Sequence, residues 1–228
     1  MGDLYSTPPI RLKSRSEVLS LFSETAPPLH FTYKLEPFIA ALAAILVAPL
    51  AAAIGLIILA LSGQSPLVRH RRVGWKGEDL WLLKFRTMWM PGDRVRPFAA
   101  IEDLPETYPI VKAKSDHRVT SPFAAWCRRY SLDEIPQLVH IVRGEMSFVG
   151  PRPITRAELD EHYEQCASEV LSLRPGLTGL WQVLGRNQLT YAQRRRLDLL
   201  LVRRASPRFF LAILIRTIPC VLRGYGAY

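Results

Sequence analysis

Asp133 and Glu134 stand side by side in Ser131-Leu132-Asp133-Glu134-Ile135-Pro136-Gln137, with Arg128 and Arg129 just upstream. Two carboxylates beside guanidinium groups can do phosphate chemistry. An ionised aspartate can attack phosphorus and form an acyl phosphate. Mg2+ is commonly held by one or two carboxylates together with phosphate oxygens of a substrate. The same residues also have a plain structural reading. Acids at a helix N-terminus are favoured by the free N–H groups and the dipole there, and Ser131 with Glu134 has the spacing of a capping box. Pro136 weakens that box, because a helix capped at Ser131 would carry the proline beyond its first turn. On these residues alone, capping outweighs chemistry.

Basic residues supply the other half of a phosphate site. Lys84 and Arg86, in Lys84-Phe85-Arg86-Thr87-Met88, share one face of an expected strand with Phe85 on the other; by themselves they read as a solvated or lipid-facing edge. Arg128 and Arg129 by themselves read as a surface pair that offsets the nearby acids. Gly150-Pro151-Arg152-Pro153 is more specific. Two prolines fix the backbone around Arg152, and a guanidinium presented so rigidly suits bidentate phosphate binding. Arg174-Pro175-Gly176-Leu177-Thr178-Gly179 and Gly185-Arg186-Asn187 form glycine-punctuated loops, read either as ordinary turns or as backbone N–H groups facing phosphate. His140 and His162 have no partner at metal-ligand spacing and read as structural or surface residues. Cys127, Cys166 and Cys220 are scattered without a CxxC, as expected of reduced thiols that bind no metal.

The elements that must position these residues follow from the pattern. The chain has 228 residues, 49% hydrophobic, with a net charge of +10. That suits one membrane-attached globular domain with polyanionic partners. Nucleic acid is excluded as the leading partner because no DNA- or RNA-binding motif is present. Residues 1–33, with Pro8-Pro9 and Pro27-Pro28, read as a flexible cytoplasmic tail and not as a signal peptide. Phe38 to Leu61 carries no charge and is long enough to span a bilayer core of about 30 Å. Pro49 lies at its middle and both flanks are basic. A spanning helix and a broken, re-entrant one both remain open on this pattern. Residues 66–90 predict a β-hairpin turning at Gly74 to Gly77, and 91–115 a loop. Helices are expected over 122–130, from Leu132–Glu134 to Gly144, and over 155–172 and 189–204. Pro207 to Leu222 reads as an apolar interfacial or core-packed helix, interrupted by Arg216 and Pro219.

Taken in order, the blocks resemble the bacterial sugar transferases, the small monotopic polyprenyl-phosphate phosphoglycosyl transferases. The resemblance runs from near Pro49 to the C-terminus. It is carried by Ser65-Pro66, Arg72-Val73-Gly74, Lys84-Phe85-Arg86-Thr87-Met88, Asp116-His117-Arg118-Val119-Thr120, the Ser131–Gln137 block, Gly144-Glu145-Met146-Ser147, Val149-Gly150-Pro151-Arg152-Pro153, the 174–179 block, Gln182-Val183, Gly185-Arg186-Asn187 and Gly226-Ala227-Tyr228. Many ordered blocks reverse the odds for the two acids.

The resemblance implies an α/β, mostly α fold. A re-entrant membrane helix over 34–64, broken at Pro49, precedes a compact cytoplasmic-face catalytic domain over 65–228 with a short β-hairpin and amphipathic interfacial helices. It implies transfer of a sugar 1-phosphate from a UDP-sugar to undecaprenyl phosphate at the bacterial cytoplasmic membrane, with UMP released, as the first membrane step of glycan assembly such as exopolysaccharide or capsule. By the resemblance Asp133 is the nucleophile, Glu134 with Asp133 holds Mg2+, and Lys84, Arg86, Arg128 and Arg152 contact phosphates. Anionic lipids are implied partners, and the apolar C-terminal helix is compatible with a homodimer. The chain departs from the pattern at Lys34-Leu35-Glu36-Pro37-Phe38, where a basic residue followed by Phe-Asp is usual, and at Phe209-Phe210, where an acid is usual. Two competing functions are a non-catalytic membrane scaffold and a lipid-dependent phosphatase.

Overall fold

The structure, a computed structural model, describes residues 29–89, 119 and 121–224. Most of the expected tail, the loop over 91–115, most of the 116–120 block and the terminal Gly226-Ala227-Tyr228 lie outside the described residues.

The charge-free run becomes α1 (His30–Ser62), a helix of 33 residues, about 50 Å long at 1.5 Å per residue. Gly63 closes it with φ 65°, a left-handed cap that a glycine adopts without steric cost. Helical backbone continues through Pro37 and Pro49. Each proline removes one N–H donor and crowds the preceding turn, so any turn at Pro49 is a bend within a helix and not a loop. Among the described residues this is the one helix long and apolar enough to cross a membrane. Phe38, Ile45, Leu46 and Leu56 stand exposed along it, more apolar surface than water tolerates. One stripe is covered. Ala40 packs with Leu80, Leu82, Leu138, Ile141 and Met146. Ile54 and Ile58 pack with Phe85 and Cys127, with Leu132 and Ile135 against them. Both halves of α1 therefore dock on the same globular body.

The hairpin forms where expected. β1 (Leu67–Val73) pairs antiparallel with β2 (Asp79–Phe85), in register from Leu67 opposite Phe85 to Val73 opposite Asp79. Leu80 and Leu82 are buried while Asp79 and Trp81 are exposed, the two-residue period of a half-buried strand. Lys76 and Gly77 both take positive φ in the turn. α2 (Pro122–Arg129) follows, then a 3₁₀ stretch Leu132–Gln137 running into α3 (Leu138–Val142). Gly144, φ 73°, ends the run. The expected single helix is thus a tight 3₁₀ turn that opens into a short α-helix, with Pro136 inside the 3₁₀ part.

A parallel pair follows that no sequence period announces. β3 (Ser147–Val149) lies beside β4 (Gly176–Thr178). Between them, the regular helix expected over 155–172 is instead a broken helical path. It comprises Arg156–Glu158 behind a Thr155–Glu158 capping box, a π-turn Leu159–Tyr163, a 3₁₀ turn Glu164–Cys166 and Ala167–Val170. Leu159, Tyr163 and Val170 pack with Val73 and Ile154, and the Tyr163 hydroxyl donates to Asp198 at 2.9 Å. Leu159, Tyr163 and Val170 keep to one face, as a regular helix would place them, although the path between them runs through π and 3₁₀ turns. α4 (Leu180–Leu184), α5 (Tyr191–Arg203) and α6 (Pro207–Arg223) complete the domain. Phe209, Phe210 and Ile213 of α6 close the core on Val149, Leu180, Val183 and Leu201. α6 runs unbroken through Arg216 and Pro219, with Leu211, Ile215, Ile218 and Leu222 exposed.

Two loops cross where glycine is required by contact. Gly150 N–H donates to the Thr178 carbonyl at 3.0 Å, and Gly176 N–H to the Pro151 carbonyl at 2.8 Å. A Cβ on Gly176 would lie 2.0 Å from the Gly150 nitrogen. The Gly176 N–H is thus used to lock the Arg152 loop, not to face phosphate. Because only backbone atoms meet there, nothing can swing aside. Gly176→Ala is expected to destabilise the fold by about 1–3 kcal/mol, read as a lowered Tm in detergent or nanodiscs.

Asp198 is 1% exposed, and burial pushes its carboxyl up to about 8, against the downward pull of the Tyr163 hydrogen bond and of Arg194 and Arg152. The unfolded chain releases this proton near the ordinary aspartate value. From about pH 4 to about pH 8 the folded state therefore holds a proton the unfolded state has lost, and stability falls through that window and levels above it. Asp198→Asn keeps a neutral side chain at every pH. Its Tm should fall at least ~4 °C less than wild type between about pH 5 and about pH 8; equal falls would contradict the assignment.

Candidate active site

The two acids are presented by an unusual turn. Ser131 sits in the left-handed region, φ 57° and ψ 24°, and its side chain makes no cap hydrogen bond. The capping box suggested by Ser131 and Glu134 therefore does not form. The acids begin a 3₁₀ stretch whose tight pitch, three residues per turn, holds neighbouring side chains in a fixed fan. Ile135 and Leu132 anchor this turn against α1, Phe85 and Cys127.

Glu134 is the acid that the bases grip. The Lys84 ammonium, from β2, donates to Glu134 Oε1 at 3.0 Å. One guanidinium nitrogen of Arg152, from the doubly proline-braced loop, lies 3.6 Å from the same oxygen. Burial alone would raise the Glu134 carboxyl, but the charges of Lys84 and Arg152, the Lys84 hydrogen bond and the charge of Arg186 outweigh it and hold Glu134 down at about 2. It is ionised throughout the physiological range. Asp133 behaves oppositely. It is 8% exposed, and burial raises its carboxyl above the ordinary range; Lys84 and Arg128 pull it down, while the neighbouring Glu134 charge adds to the rise. Two adjacent carboxylates are thus driven apart, one a fixed anion and one a more basic group, as where acids take different chemical roles.

The structure brings Asp133, Glu134, Lys84 and Arg152 into contact range, with Arg128 acting on Asp133 by charge. Arg86 is placed at the base of the hairpin, where its Nε donates to the Ser65 carbonyl at 2.8 Å. Pro49 lies in the exposed middle of α1. Arg186 belongs with the site, since its charge bears on Glu134, but it was legible only inside a glycine loop; its own backbone takes φ 46°. Beside Arg152, the Trp181 ring carries the Arg194 guanidinium at 4.7 Å and that of Arg152 at 5.9 Å, a concentration of positive charge on one indole that sequence reasoning missed.

The donor set suits Mg2+ in one mode only. No group of three or more His, Cys, Asp or Glu side chains gathers among the described residues, so those residues alone do not build a closed metal cage. Glu134, ionised and fixed, with Asp133 adjacent, fits an ion that completes its shell with phosphate oxygens and water. Chemically, the arrangement offers a dry, basic carboxylate beside an anchored anion and several guanidinium and ammonium groups. That combination can stabilise charge on a transferring phosphoryl group.

Residues 31–224 match the bacterial sugar transferase family. The chain is 43% identical over 199 residues to the exopolysaccharide production protein ExoY of Sinorhizobium fredii, covering 85% of this chain and 86% of that one. It is 36% identical over 198 residues to the UDP-glucose:undecaprenyl-phosphate glucose-1-phosphate transferase of Caulobacter vibrioides, covering 82% and 68%. It is 38% identical over 174 residues to the undecaprenyl-phosphate galactose phosphotransferase of Salmonella typhimurium, covering 73% of this chain and 35% of that longer protein. The chain belongs to the bacterial sugar transferase family.

Proposed function

We propose that this chain is a polyprenyl-phosphate phosphoglycosyl transferase that moves a sugar 1-phosphate from a UDP-sugar to undecaprenyl phosphate and releases UMP. The observation that carries this reading is the opposed behaviour of the two acids: Glu134 pinned by Lys84 and Arg152, Asp133 buried and more basic beside it. The names of its relatives, which handle glucose 1-phosphate and galactose phosphate on the same lipid, support the substrate class.

In the first step an Asp133 carboxylate oxygen attacks the sugar-bearing phosphorus of the donor. The bond from that phosphorus to the bridging oxygen breaks, and UMP leaves with the electron pair. The acyl phosphate holds the sugar phosphate on the enzyme. In the second step a phosphate oxygen of the lipid attacks the same phosphorus, the bond to the Asp133 oxygen breaks, and the free carboxylate returns. A covalent relay lets a water-soluble donor and a lipid acceptor use one site in turn. Arg152 and Lys84, with Arg128 and Arg186 nearby, offset the charge that builds on the phosphoryl oxygens. Mg2+, held by Glu134 with Asp133 adjacent, would neutralise phosphate oxygens when bound.

The topology we propose is re-entrant, with both ends of α1 and the catalytic domain at the cytoplasmic face of the inner membrane. Support comes from Ala40 and Ile58, about 27 Å apart along the axis, which both pack on the one globular body. A straight span would carry its two ends to opposite sides. Pro49 supplies the bend. The exposed Leu211, Ile215, Ile218 and Leu222 of α6, with Trp126, suit a resting place among acyl chains, with the chain's positive charge on anionic headgroups.

Asp133→Asn should lower UMP release with UDP-sugar and undecaprenyl phosphate at least about 10³-fold with folding retained; near-wild-type turnover would remove Asp133 as nucleophile. For topology, Lys34→Cys and Arg69→Cys, each in a background with Cys127, Cys166 and Cys220 replaced by serine, should both react with an impermeant maleimide in inside-out vesicles and neither in right-side-out vesicles. Labelling of the two from opposite sides would establish a span.

A further inference from the structure

His140 plays no part in the proposed chemistry, yet its ring is tightly constrained. It is 2% exposed. Its Nε2 accepts the Leu83 N–H of β2 at 3.0 Å, and its Nδ1 lies 2.5 Å from Glu145 Oε2. Its own carbonyl accepts from the N–H groups of Glu145, at 2.9 Å, and Met146, at 3.2 Å. Accepting at Nε2 fixes the tautomer: the ring proton sits on Nδ1 and is donated to Glu145.

The place of that bond matters. Among the described residues the hairpin has two strands only, so among them the outer edge of β2 has no strand partner and its N–H groups need another acceptor. His140 supplies one at Leu83. The next residue is Lys84, whose ammonium reaches Glu134 at 3.0 Å. The residue before is Leu82, buried against Ile141 and Met146, which flank the same α3 turn. Leu83 is thus the point where the outer edge of β2 is clamped, immediately before Lys84, which itself stands opposite Val68 of β1.

We propose that His140 is a positioning residue for Lys84: by holding the Leu83 N–H it sets the backbone from which Lys84 grips Glu134. A lysine has four rotatable side-chain bonds, and a hydrogen bond weakens steeply once its ends drift or tilt. Fixing the backbone one residue away sets the position and direction from which those bonds start. Glu145 acts one step further out, since it orients the ring. The inference rests on the proposed function only in assigning Lys84 a part in transfer.

The test uses the full chain in nanodiscs with four variants: His140→Leu, His140→Gln, Lys84→Ala and the Lys84→Ala/His140→Leu pair. Glutamine keeps an acceptor close to the position of Nε2. His140→Leu should lower kcat for UMP release about tenfold, His140→Gln should recover to within about threefold of wild type, and His140→Leu should cost less than about twofold in the Lys84→Ala background. Equal losses in both backgrounds, or a glutamine no better than leucine, would overturn the proposal, because a purely structural histidine gives additive costs. A second readout needs no activity. Pairing with Glu134 shields the Lys84 amine, so its modification by an acylating reagent, mapped by mass spectrometry, should run at least about fivefold faster in His140→Leu and stay near wild type in His140→Gln. An unchanged rate overturns the inference. Should His140→Leu fail to fold, Glu145→Ala replaces it, with labelling of Lys84 expected to rise about twofold and an unchanged rate again decisive. A wild-type chain that transfers nothing would sink the proposed function, and Lys84 labelling would still decide this inference.

Discussion

The Lys84 to Glu134 ion pair, 3.0 Å long with both side chains largely buried, is the joint on which the site depends. It binds the hairpin to the 3₁₀ turn and gives the two acids different characters. Glu134 receives the ammonium, with the Arg152 guanidinium close by, and stays ionised. Asp133, one residue earlier, keeps the cost of burial. Adjacent carboxylates with equal surroundings would share their charge burden evenly. Here the surroundings are unequal because three separate elements converge on one of the two. Breaking such a buried pair from one side leaves an uncompensated charge, so the site is sensitive to anything that moves β2 or the Arg152 loop.

The rest of the fold can be read as support for that joint. Gly150 and Gly176 let two loops cross at backbone contact, which fixes Arg152 from behind. His140 and Glu145 hold β2 from the side. α1 lies along the hairpin and the 3₁₀ turn through Ala40, Ile54 and Ile58. The membrane helix is therefore part of the wall behind the site and not a tether. In the proposed topology this packing keeps the acids at the depth where a lipid phosphate lies.

Much of this was legible in the sequence, for definite physical reasons. The charge-free run from Phe38 to Leu61, the turn expected from Gly74 to Gly77 and the helical pattern over 189–204 are local signals, and α1, β2 and α5 stand where they point. The elements that escaped depend on distant partners. β3 and β4 are three residues each and pair across the whole 150–175 segment, so no periodicity marks them. The charged stretch after Thr155 has a helical pattern, and Leu159, Tyr163 and Val170 do share one face, yet its path is divided into α, π and 3₁₀ turns that no period in the sequence marks. Ser131 and Glu134 have the letters of a capping box, yet the left-handed Ser131 undoes it. Among the candidate site residues, the acids, Lys84 and Arg152 were visible as blocks. Arg186 was visible only as part of its glycine loop, and Arg194 and the contacts of His140 were not visible, because their importance lies in what they face and not in their spacing.

The most direct test of the central claim is the mass of the protein after exposure to donor alone. With a UDP-sugar and Mg2+ but no undecaprenyl phosphate, rapid quenching and peptide mapping should find one sugar phosphate on the peptide containing Asp133, with an equal amount of UMP released, and the adduct should disappear when the lipid is added. Release of UMP only after the lipid is added, or an adduct on any other residue, would contradict the account.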